Sequence, residues 1–399
     1  MRMTVQRRLD QIYSDVIKLV DRNELWSLSG ELVKRPSPNP PGEVSEVSSF
    51  VQEYMTRAGV ETRLEEVSPG RPNVYCVLRG SEQKPVLMLN GHMDVVPVGE
   101  GWTMDPFGGQ IVGDRLYGRG AADMKAGLAA IMVAMKSMAL AGTKLRGTLL
   151  LSAVVDEEQG ETGTRKMMDS GITSTFAIVG EPTSLSTVIA SKGDVYYEIT
   201  TVGKAAHSST PSEGINAIDK MADVIGAIRN LSREFEARQH RLLGSPTISV
   251  GTIEGGTATN VVPSLCKATV DRRTLPGETA EEGKRQLESI ISNLKQKDPQ
   301  LEARVRTVME AYPMEVPEDS LIVQTAREAT KHVLGHDTGV VGMQGATDAQ
   351  LLYNVAQIPS VILGPGALSQ AHRPNEYVPL SEVLDAAKIY ARIALSLLL

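Results

Sequence analysis

The stretch PVLMLNGHMD, residues 85–94, is a short apolar run that ends in a histidine and an aspartate. Two more compact apolar runs follow it along the chain, GTLLLSAVV at 147–155 and FAIV at 176–179. Runs of this length are typical of strands that are buried on both faces of a parallel sheet. The Ala- and Met-rich segment 125–140, between the first two runs, is predicted to be a long helix. This alternation predicts an α/β fold with a mostly parallel central sheet.

The middle of the chain has a different pattern. DVYYEITTV at 194–202 alternates like a half-exposed strand, and a helix is predicted from about residue 215 to 238. The rest of this region is predicted to contain two strands, a helix and a strand, near 247–254, 265–273, 280–295 and 302–309. The order β-α-β-β-α-β predicts a small α+β domain inserted in the larger one. We therefore expect three segments: the first part of the larger domain, the inserted domain and the second part of the larger domain, at 1–190, 191–311 and 312–399.

The composition disfavours several classes of function. The net charge of −7 argues against non-specific nucleic-acid binding, which needs a basic surface. The two cysteines, Cys76 and Cys266, are far apart and predict neither a disulfide framework nor a CxxC metal site. No apolar run approaches the ~20 residues that span a bilayer. The N-terminal segment has the spacing of an amphipathic helix rather than the apolar stretch of a signal peptide. We therefore expect a cytoplasmic protein without nucleic-acid or membrane partners.

Polar residues that can bind metal ions follow the apolar strands. The three apolar runs above lead into His92, into Glu157 and Glu158, and into Glu181, respectively. A further strand candidate at 360–363 is followed by a glycine-rich loop and then by His372. Open α/β sheets bind ligands beyond the carboxyl ends of their strands, where these loops meet. Asp123, which precedes a helix, joins the set, although an aspartate there is most simply a helix N-cap. Histidines and carboxylates at successive strand ends together match the nitrogen and oxygen ligands that zinc accepts.

Several longer segments make a resemblance specific. The chain resembles the zinc-dependent family of aminoacylase, acetylornithine deacetylase, succinyl-diaminopimelate desuccinylase and carboxypeptidase G. The matching segments run in family order across nearly the whole chain: GHMDVVP (91–97), GRGAADMKAG (118–127), DEEQG (156–160), GEPT (180–183), GGTATNVVP (255–263), DRRTLPG (271–277), TDA (347–349) and GPG…AHRPNEYV (364–378).

The resemblance implies a centre with two metal ions. Asp123 is expected to bridge them, with His92 and Glu181 completing one site and Glu158 and His372 the other. The peptide bond after Asp123 is expected to be cis. Asp94 is expected to accept a hydrogen bond from the second ring nitrogen of the first histidine, which would fix its orientation.

The resemblance also implies a general base. Glu157 is expected to take a proton from a metal-bridging water and pass it to the leaving amine. Zinc is the expected metal, although cobalt and manganese suit the same ligands.

The inserted domain carries further candidates by resemblance, and it is expected to act as a lid and to pair with a second copy in a homodimer. His207 is expected to polarise the scissile carbonyl, often across the dimer interface, and Asn260 to bind the substrate or its oxyanion. Arg273 is expected to bind a substrate carboxylate, a task that suits a bidentate guanidinium. Arg272, its neighbour on the predicted strand, is expected to point to solvent.

The reaction class is better defined than the substrate. Arg273 favours an N-acyl amino acid with a free carboxylate, hence a deacetylase- or desuccinylase-like deacylase. A dipeptidase or carboxypeptidase of the same family is the alternative enzyme. A binding homologue that has lost catalysis is the alternative of another class, and the presence of all five ligand residues and Glu157 argues against it.

Overall fold

The computed structural model describes residues 2–399, with side chains from residue 7 onward. The chain divides into two compact units. The larger unit contains the residues up to Ile189 together with Val316–Val341 and Thr347–Leu399, and the inserted unit contains Ala190–Glu315 and Gly342–Ala346. In the described part of the chain, no helix is both long and apolar enough to cross a membrane.

The secondary structure alternates helices and strands along the larger unit. Its first part contains α1 (Arg2–Ile17), α2 (Arg22–Val33), α3 (Ser45–Arg57), β1 (Glu61–Ser68), β2 (Arg71–Leu78), β3 (Val86–His92), β4 (Gln110–Val112), β5 (Arg115–Tyr117), α4 (Ala126–Leu140), β6 (Thr148–Val154), α5 (Thr162–Asp169), β7 (Phe176–Val179) and β8 (Thr187–Ser191). The inserted unit follows with β9 (Gly193–Val202), α6 (Ala217–Phe235), β10 (Thr247–Gly255), β11 (Leu265–Thr274), α7 (Ala280–Lys297), β12 (Glu302–Ala311) and β13 (Met314–Glu315). The remaining elements are α8 (Leu321–Leu334), β14 (Val340–Met343), α9 (Ala349–Asn354), β15 (Ser360–Ile362), β16 (Tyr377–Pro379) and α10 (Leu380–Leu398).

The central sheet of the larger unit has the strand order β1-β2-β6-β3-β7-β15-β8. Its four middle strands, β6, β3, β7 and β15, run parallel to one another. The flanking strands β1, β2 and β8 pair antiparallel. The predicted α/β fold with a mostly parallel central sheet is thus confirmed.

The register of the sheet aligns the carboxyl ends of its middle strands. His92 pairs with Val154, and Val179 pairs with both Asn90 and Ile362. Because the four strands end at nearly the same level, the loops that follow them emerge along a single edge. The polar residues in these loops are therefore brought together by strand pairing.

Helix α4 packs against this sheet with an almost entirely buried surface. Its small Ala and Gly residues let it approach the strand ends closely. A Cβ atom at Gly127 would lie 2.3 Å from the carbonyl oxygen of Gly180, and one at Gly364 would lie 2.2 Å from the same oxygen. The absence of side chains at these glycines thus allows three backbone segments to meet beside Glu181.

The inserted unit is a sheet covered by two helices. Its strand order is β10-β11-β9-β12, with every neighbouring pair antiparallel. Helices α6 and α7 pack on it around apolar side chains such as Tyr197, Met221 and Leu287. Asn216 caps α6, and Thr279 with Glu282 forms a capping box on α7. The element order confirms the predicted β-α-β-β-α-β pattern. The lid and dimerisation roles remain predictions.

The close approach at Gly127 leads to a stability prediction. We expect Gly127→Ala to lower the free energy of unfolding by about 1–3 kcal/mol, because the added methyl overlaps backbone rather than a movable side chain. Gly30 in α2 is the matched control, since its added Cβ would lie 3.5 Å from the nearest atom. Gly30→Ala is expected to change stability by no more than about 1 kcal/mol, in the stabilising direction. Urea unfolding of both variants measures the difference; equal effects would contradict the packing argument.

Candidate metal centre

The predicted ligand residues converge at the carboxyl edge of the central sheet. His92 ends β3, Glu158 follows β6, Glu181 follows β7, and His372 lies in the loop after β15. Asp123 lies in the irregular turn Ala121–Lys125, immediately before α4. The peptide bond between Asp123 and Met124 is cis, as the family resemblance implies.

The side chains form two groups that share Asp123. One group contains His92, Asp123 and Glu181, and the other contains Asp123, Glu158 and His372, with the ligand atoms of each within 4.8 Å of one another. The Asp123 Oδ1 atom lies 3.1 Å from His92 Nε2, and its Oδ2 atom lies 3.3 Å from His372 Nε2. Each oxygen of this carboxylate therefore faces a different group, which is the arrangement that a bridging ligand requires.

The outer ligands complete the two groups. The Glu181 Oε1 atom lies 3.5 Å from His92 Nε2, and the Glu158 Oε2 atom lies 3.2 Å from His372 Nε2. The first group is fully buried, whereas the His372 side chain is 54% exposed. Imidazole nitrogens and carboxylate oxygens are donors that zinc and related divalent ions accept.

The electrostatics of the groups fit bound cations. The Glu181 Oε1 atom is buried and accepts no hydrogen bond from the described residues. Burial raises the pKa of Glu181 to about 8, and the charge of Asp123 adds to this. Although burial opposes it, the Glu181 and Asp123 carboxylates raise the pKa of His92 well above its usual range. Metal ions compete with these protons for the same ligand atoms, so the centre suits two divalent ions.

Glu157 lies beside the ligands and belongs to neither group. Burial raises the pKa of its carboxyl well above the usual range, and the nearby Glu181 and Glu158 charges act in the same direction, against His92. A carboxylate with a raised pKa beside a metal site can accept a proton and hold it. The two adjacent glutamates thus differ in position: Glu158 is a member of the second ligand group, whereas Glu157 is a member of neither.

The role of Asp94 differs from the prediction in one respect. The His92 Nδ1 atom lies 2.8 Å from the backbone carbonyl oxygen of Asp94, whereas the Asp94 carboxylate is 3.9 Å away. The main chain therefore accepts the imidazole N–H, which leaves Nε2 free to bind a metal. The Asp94 carboxylate instead accepts the backbone N–H groups of Glu157 and Glu158, at 3.3 Å each. Its side chain holds the acidic loop, a contact that the sequence spacing does not reveal.

Two residues near the acidic loop had no predicted role. The Asn39 side-chain amide donates to the carboxylates of both Asp94 and Asp156, at 2.9 and 2.8 Å. Asp156 also accepts from Arg71 and from the Thr162 hydroxyl. Asn39 lies in the Pro-rich stretch SPNPPG, where sequence reasoning suggests only a turn. Its contacts span 55 and 117 positions, so no local signal identifies it.

The structure places the other candidates in the inserted unit. His207 is exposed, and its Nδ1 accepts the Ser209 backbone N–H at 3.2 Å, which assigns the ring proton to Nε2. Asn260 lies in the exposed loop between β10 and β11, and its backbone carbonyl accepts the N–H of Ser208. A β-bridge between His207 and Val261 brings these two segments together.

Arg273 already has acidic partners. Its Nε and Nη2 atoms each lie 3.0 Å from an oxygen of Asp271, and its Nη1 atom lies 3.0 Å from Asp194. A substrate carboxylate would therefore have to share or displace one of these acids.

The expectation for Arg272 was wrong. Its side chain is 1% exposed, donates to Gln286 and Glu278, and covers the Phe235 ring at 4.7 Å. The alternation along β11 explains this position, because Cys266, Ala268 and Val270 are buried on the same face. Glu278 and Gln286 compensate for the loss of hydration at the guanidinium.

The fold and the ligand set define this chain as a metal-dependent hydrolase of the class that cleaves amide bonds. The model of Peptidase family M20/M25/M40 matches residues 88–396, and the chain belongs to this family. The predicted family resemblance is thereby confirmed.

Similar proteins include deacylases and peptidases. The chain is 36% identical over 301 residues to acetylornithine deacetylases of Salmonella paratyphi B and Salmonella newport, covering 73% of this chain and 75% of each relative. Its fold is similar to that of the aminopeptidase PepT from Bacillus cereus, with a TM-score of 0.79, 22% identity and coverage of 95% and 99% of the two chains. It is also similar to the M20 family metallo-carboxypeptidase Sso-CP2 from Sulfolobus solfataricus, with a TM-score of 0.76, 23% identity and coverage of 94% and 99%.

The two ligand groups lead to a prediction about metal stoichiometry. We expect His372→Ala to lower the affinity for one of the two bound ions. The loss should exceed the ~10–100-fold that is typical when a residue that only contacts a metal ligand is removed. The other ion should remain, because His92 and Glu181 are intact. Calorimetric titration with zinc measures both sites, and the exposed His336→Ala variant is the control. Loss of both ions, or of neither, would contradict the assignment of the two groups.

Proposed function

We propose that this chain hydrolyses the amide bond of an N-acyl amino acid and releases a small acyl group from the α-amino nitrogen. The observation that carries the proposal is the shared carboxylate of Asp123 between two ligand groups, beside a glutamate that is not a ligand. The 36% identity to acetylornithine deacetylases supports a deacylase rather than a peptidase. Zinc is the proposed metal, because the ligands are imidazoles and carboxylates.

The proposed reaction needs one group that moves a proton. When bound, two divalent ions supply positive charge that polarises an amide carbonyl and lowers the pKa of a water molecule. Glu157 is proposed to take the proton from this water and to deliver it to the nitrogen of the leaving amine. The carboxyl must hold the proton between these two steps, which is the role of a general acid–base group.

The inserted unit is proposed to recognise the substrate. His207, with its proton on Nε2, is proposed to donate to the oxygen of the scissile carbonyl, and Asn260 to bind the same part of the substrate. Arg273 is proposed to bind the α-carboxylate, in exchange for one of its present acidic partners.

A homodimer is proposed on the basis of the sheet edges in the inserted unit. Strands β10 and β12 lie at the two edges, and each exposes a large apolar side chain, Ile253 at 55% and Val308 at 52%. Unpaired edges with exposed apolar residues favour association with another strand. The cytoplasmic location expected from the sequence stays a prediction.

Replacing the proposed base tests the reaction. We expect Glu157→Gln to lower kcat about 10²–10⁴-fold while two metal ions remain bound, because the amide cannot accept the proton. Metal analysis and single-turnover kinetics on the same preparation separate the two effects. Glu82→Gln is the control, since the Glu82 side chain forms an exposed ion pair with Arg146. Retained turnover in Glu157→Gln would show that another group moves the proton.

A substrate panel tests the specificity. N-acetyl, N-formyl and N-succinyl amino acids are expected to be hydrolysed with higher kcat/KM than dipeptides. If dipeptides were hydrolysed with the higher kcat/KM, the chain would be assigned as an exopeptidase instead, and the assignment of the metal centre would not change.

A conservative change of Arg273 tests carboxylate recognition. We expect Arg273→Lys to raise KM for acyl amino acids roughly tenfold, because an ammonium cannot reproduce the bidentate geometry. KM for the corresponding carboxamides should stay constant, since they lack the carboxylate. Arg79→Lys, directly after β2, is the control, because Arg79 forms an exposed pair with Glu61. Equal changes in KM for the acyl amino acids and the carboxamides would show that Arg273 does not bind the substrate carboxylate.

A further inference from the structure

Glu376 is a fully buried carboxylate four residues after His372. Its Oε1 atom accepts the backbone N–H groups of Ala122 and Asp123, at 2.8 and 3.1 Å. Its Oε2 atom accepts from Arg119 Nη1 at 2.6 Å and from the backbone N–H of Gly120 at 3.1 Å. Four donors thus converge on one side chain, and they fill the lone-pair positions that a carboxylate offers.

These donors belong to the turn that presents Asp123. This turn is not helical at Asp123, whose φ and ψ are −122° and 94°. Helical hydrogen bonds therefore do not fix the main chain at Asp123, and the carboxylate of Glu376 holds it instead.

The segment that carries Glu376 has three anchors. His372 faces Asp123 and Glu158, and the Asn375 side chain accepts the backbone N–H groups of Thr103 and Met104. The backbone carbonyl of Glu376 accepts the N–H of Gly118 at 2.9 Å. Through its carboxylate and carbonyl, Glu376 connects the loop of His372 to the turn of Asp123.

The two ligand groups depend on this connection to different extents. His92 and Glu181 lie at the ends of buried strands β3 and β7, which hold them independently of Glu376. In the second group, two of the three ligands, Asp123 and His372, lie on the segments that Glu376 joins. Loss of the connection should therefore affect the second group more strongly.

We propose that Glu376 is a positioning residue for the metal pair, and that its carboxylate sets the affinity of the Asp123–Glu158–His372 group for its ion. This inference rests on the two-metal centre of the proposed function and does not depend on the substrate. Glu376 contacts no ligand atom of the second group. It acts through the backbone of Asp123 and through the shared segment with His372.

A glutamine at this position tests the proposal without changing the side-chain volume. Both oxygens of Glu376 face two donors, so either orientation of an amide places its NH₂ group against N–H donors. We expect Glu376→Gln to lower the affinity of the second group for its ion about 10–100-fold, the range found when groups that orient metal ligands are removed. The first ion should remain tightly bound. kcat should fall with little change in KM.

The measurement is a calorimetric titration of the metal-depleted full chain with zinc, and separately with cobalt. Glu382→Gln is the matched control, because Glu382 also accepts a backbone N–H, that of Gly366, at 2.8 Å. It should keep both affinities. Since the titration needs no substrate, a failure of the deacylase assignment would leave this result interpretable.

A purely structural role for Glu376, as the partner of buried Arg119, predicts that the second site has wild-type affinity once Arg119 is replaced as well. The double variant Glu376→Gln with Arg119→Met lacks the guanidinium that the single variant leaves unpaired. It therefore allows the measurement even if the single variant folds poorly. If Glu376 positions the ligands, the double variant folds and its second site stays weak. Wild-type affinity at the second site, in either the single or the double variant, would overturn the proposal.

Discussion

Burial of several carboxylates in one place is the constraint on which the rest of the centre depends. Asp123, Glu158 and Glu181 lie together at the carboxyl edge of the sheet, and Glu157 lies beside them. Removing ionised carboxyl groups from water is costly unless hydrogen bonds or cations replace the hydration. The raised pKa values of Glu157 and Glu181 follow from this cost. Bound divalent ions remove it for the ligands, so metal binding and the stability of this edge are coupled.

Four buried acidic residues of the larger unit differ in the donors that surround them. Asp94, Asp156 and Glu376 each accept several hydrogen bonds from amides, guanidinium groups or hydroxyls. Such carboxylates are satisfied and serve to hold loops. Glu181, in contrast, keeps a buried oxygen without a donor among the described residues. Asp94, Asp156 and Glu376 thus hold loops, whereas Glu181 keeps an oxygen that can bind an ion.

The sequence could predict what depends on local pattern. Apolar runs marked the strands, and the residues after them supplied the ligand candidates, because parallel strands end at a common edge. The hydrogen-bond partners of Asp94 and Glu376 could not be predicted in this way. Glu376 contacts the turn of Asp123 across more than 250 positions, and such pairings depend on tertiary packing. Arg272 is a different case, since the apolar residues at alternate positions before it already indicated the buried face of β11.

Arg273 shows the same competition between acids in the inserted unit. Its guanidinium faces two carboxylates, those of Asp271 and Asp194, so a substrate carboxylate would be a third anion on one cation. Burial raises the pKa of Asp194 to about 6, with Arg273 opposing and Asp271 adding to the shift. A substrate carboxylate would therefore have to exchange with one of these two acids at the guanidinium. The exchange concerns only carboxylate recognition. The metal-ligand groups and Glu157 belong to the larger unit, whereas Arg273 belongs to the inserted unit, so the metal centre and the proposed carboxylate recognition rest on separate parts of the chain.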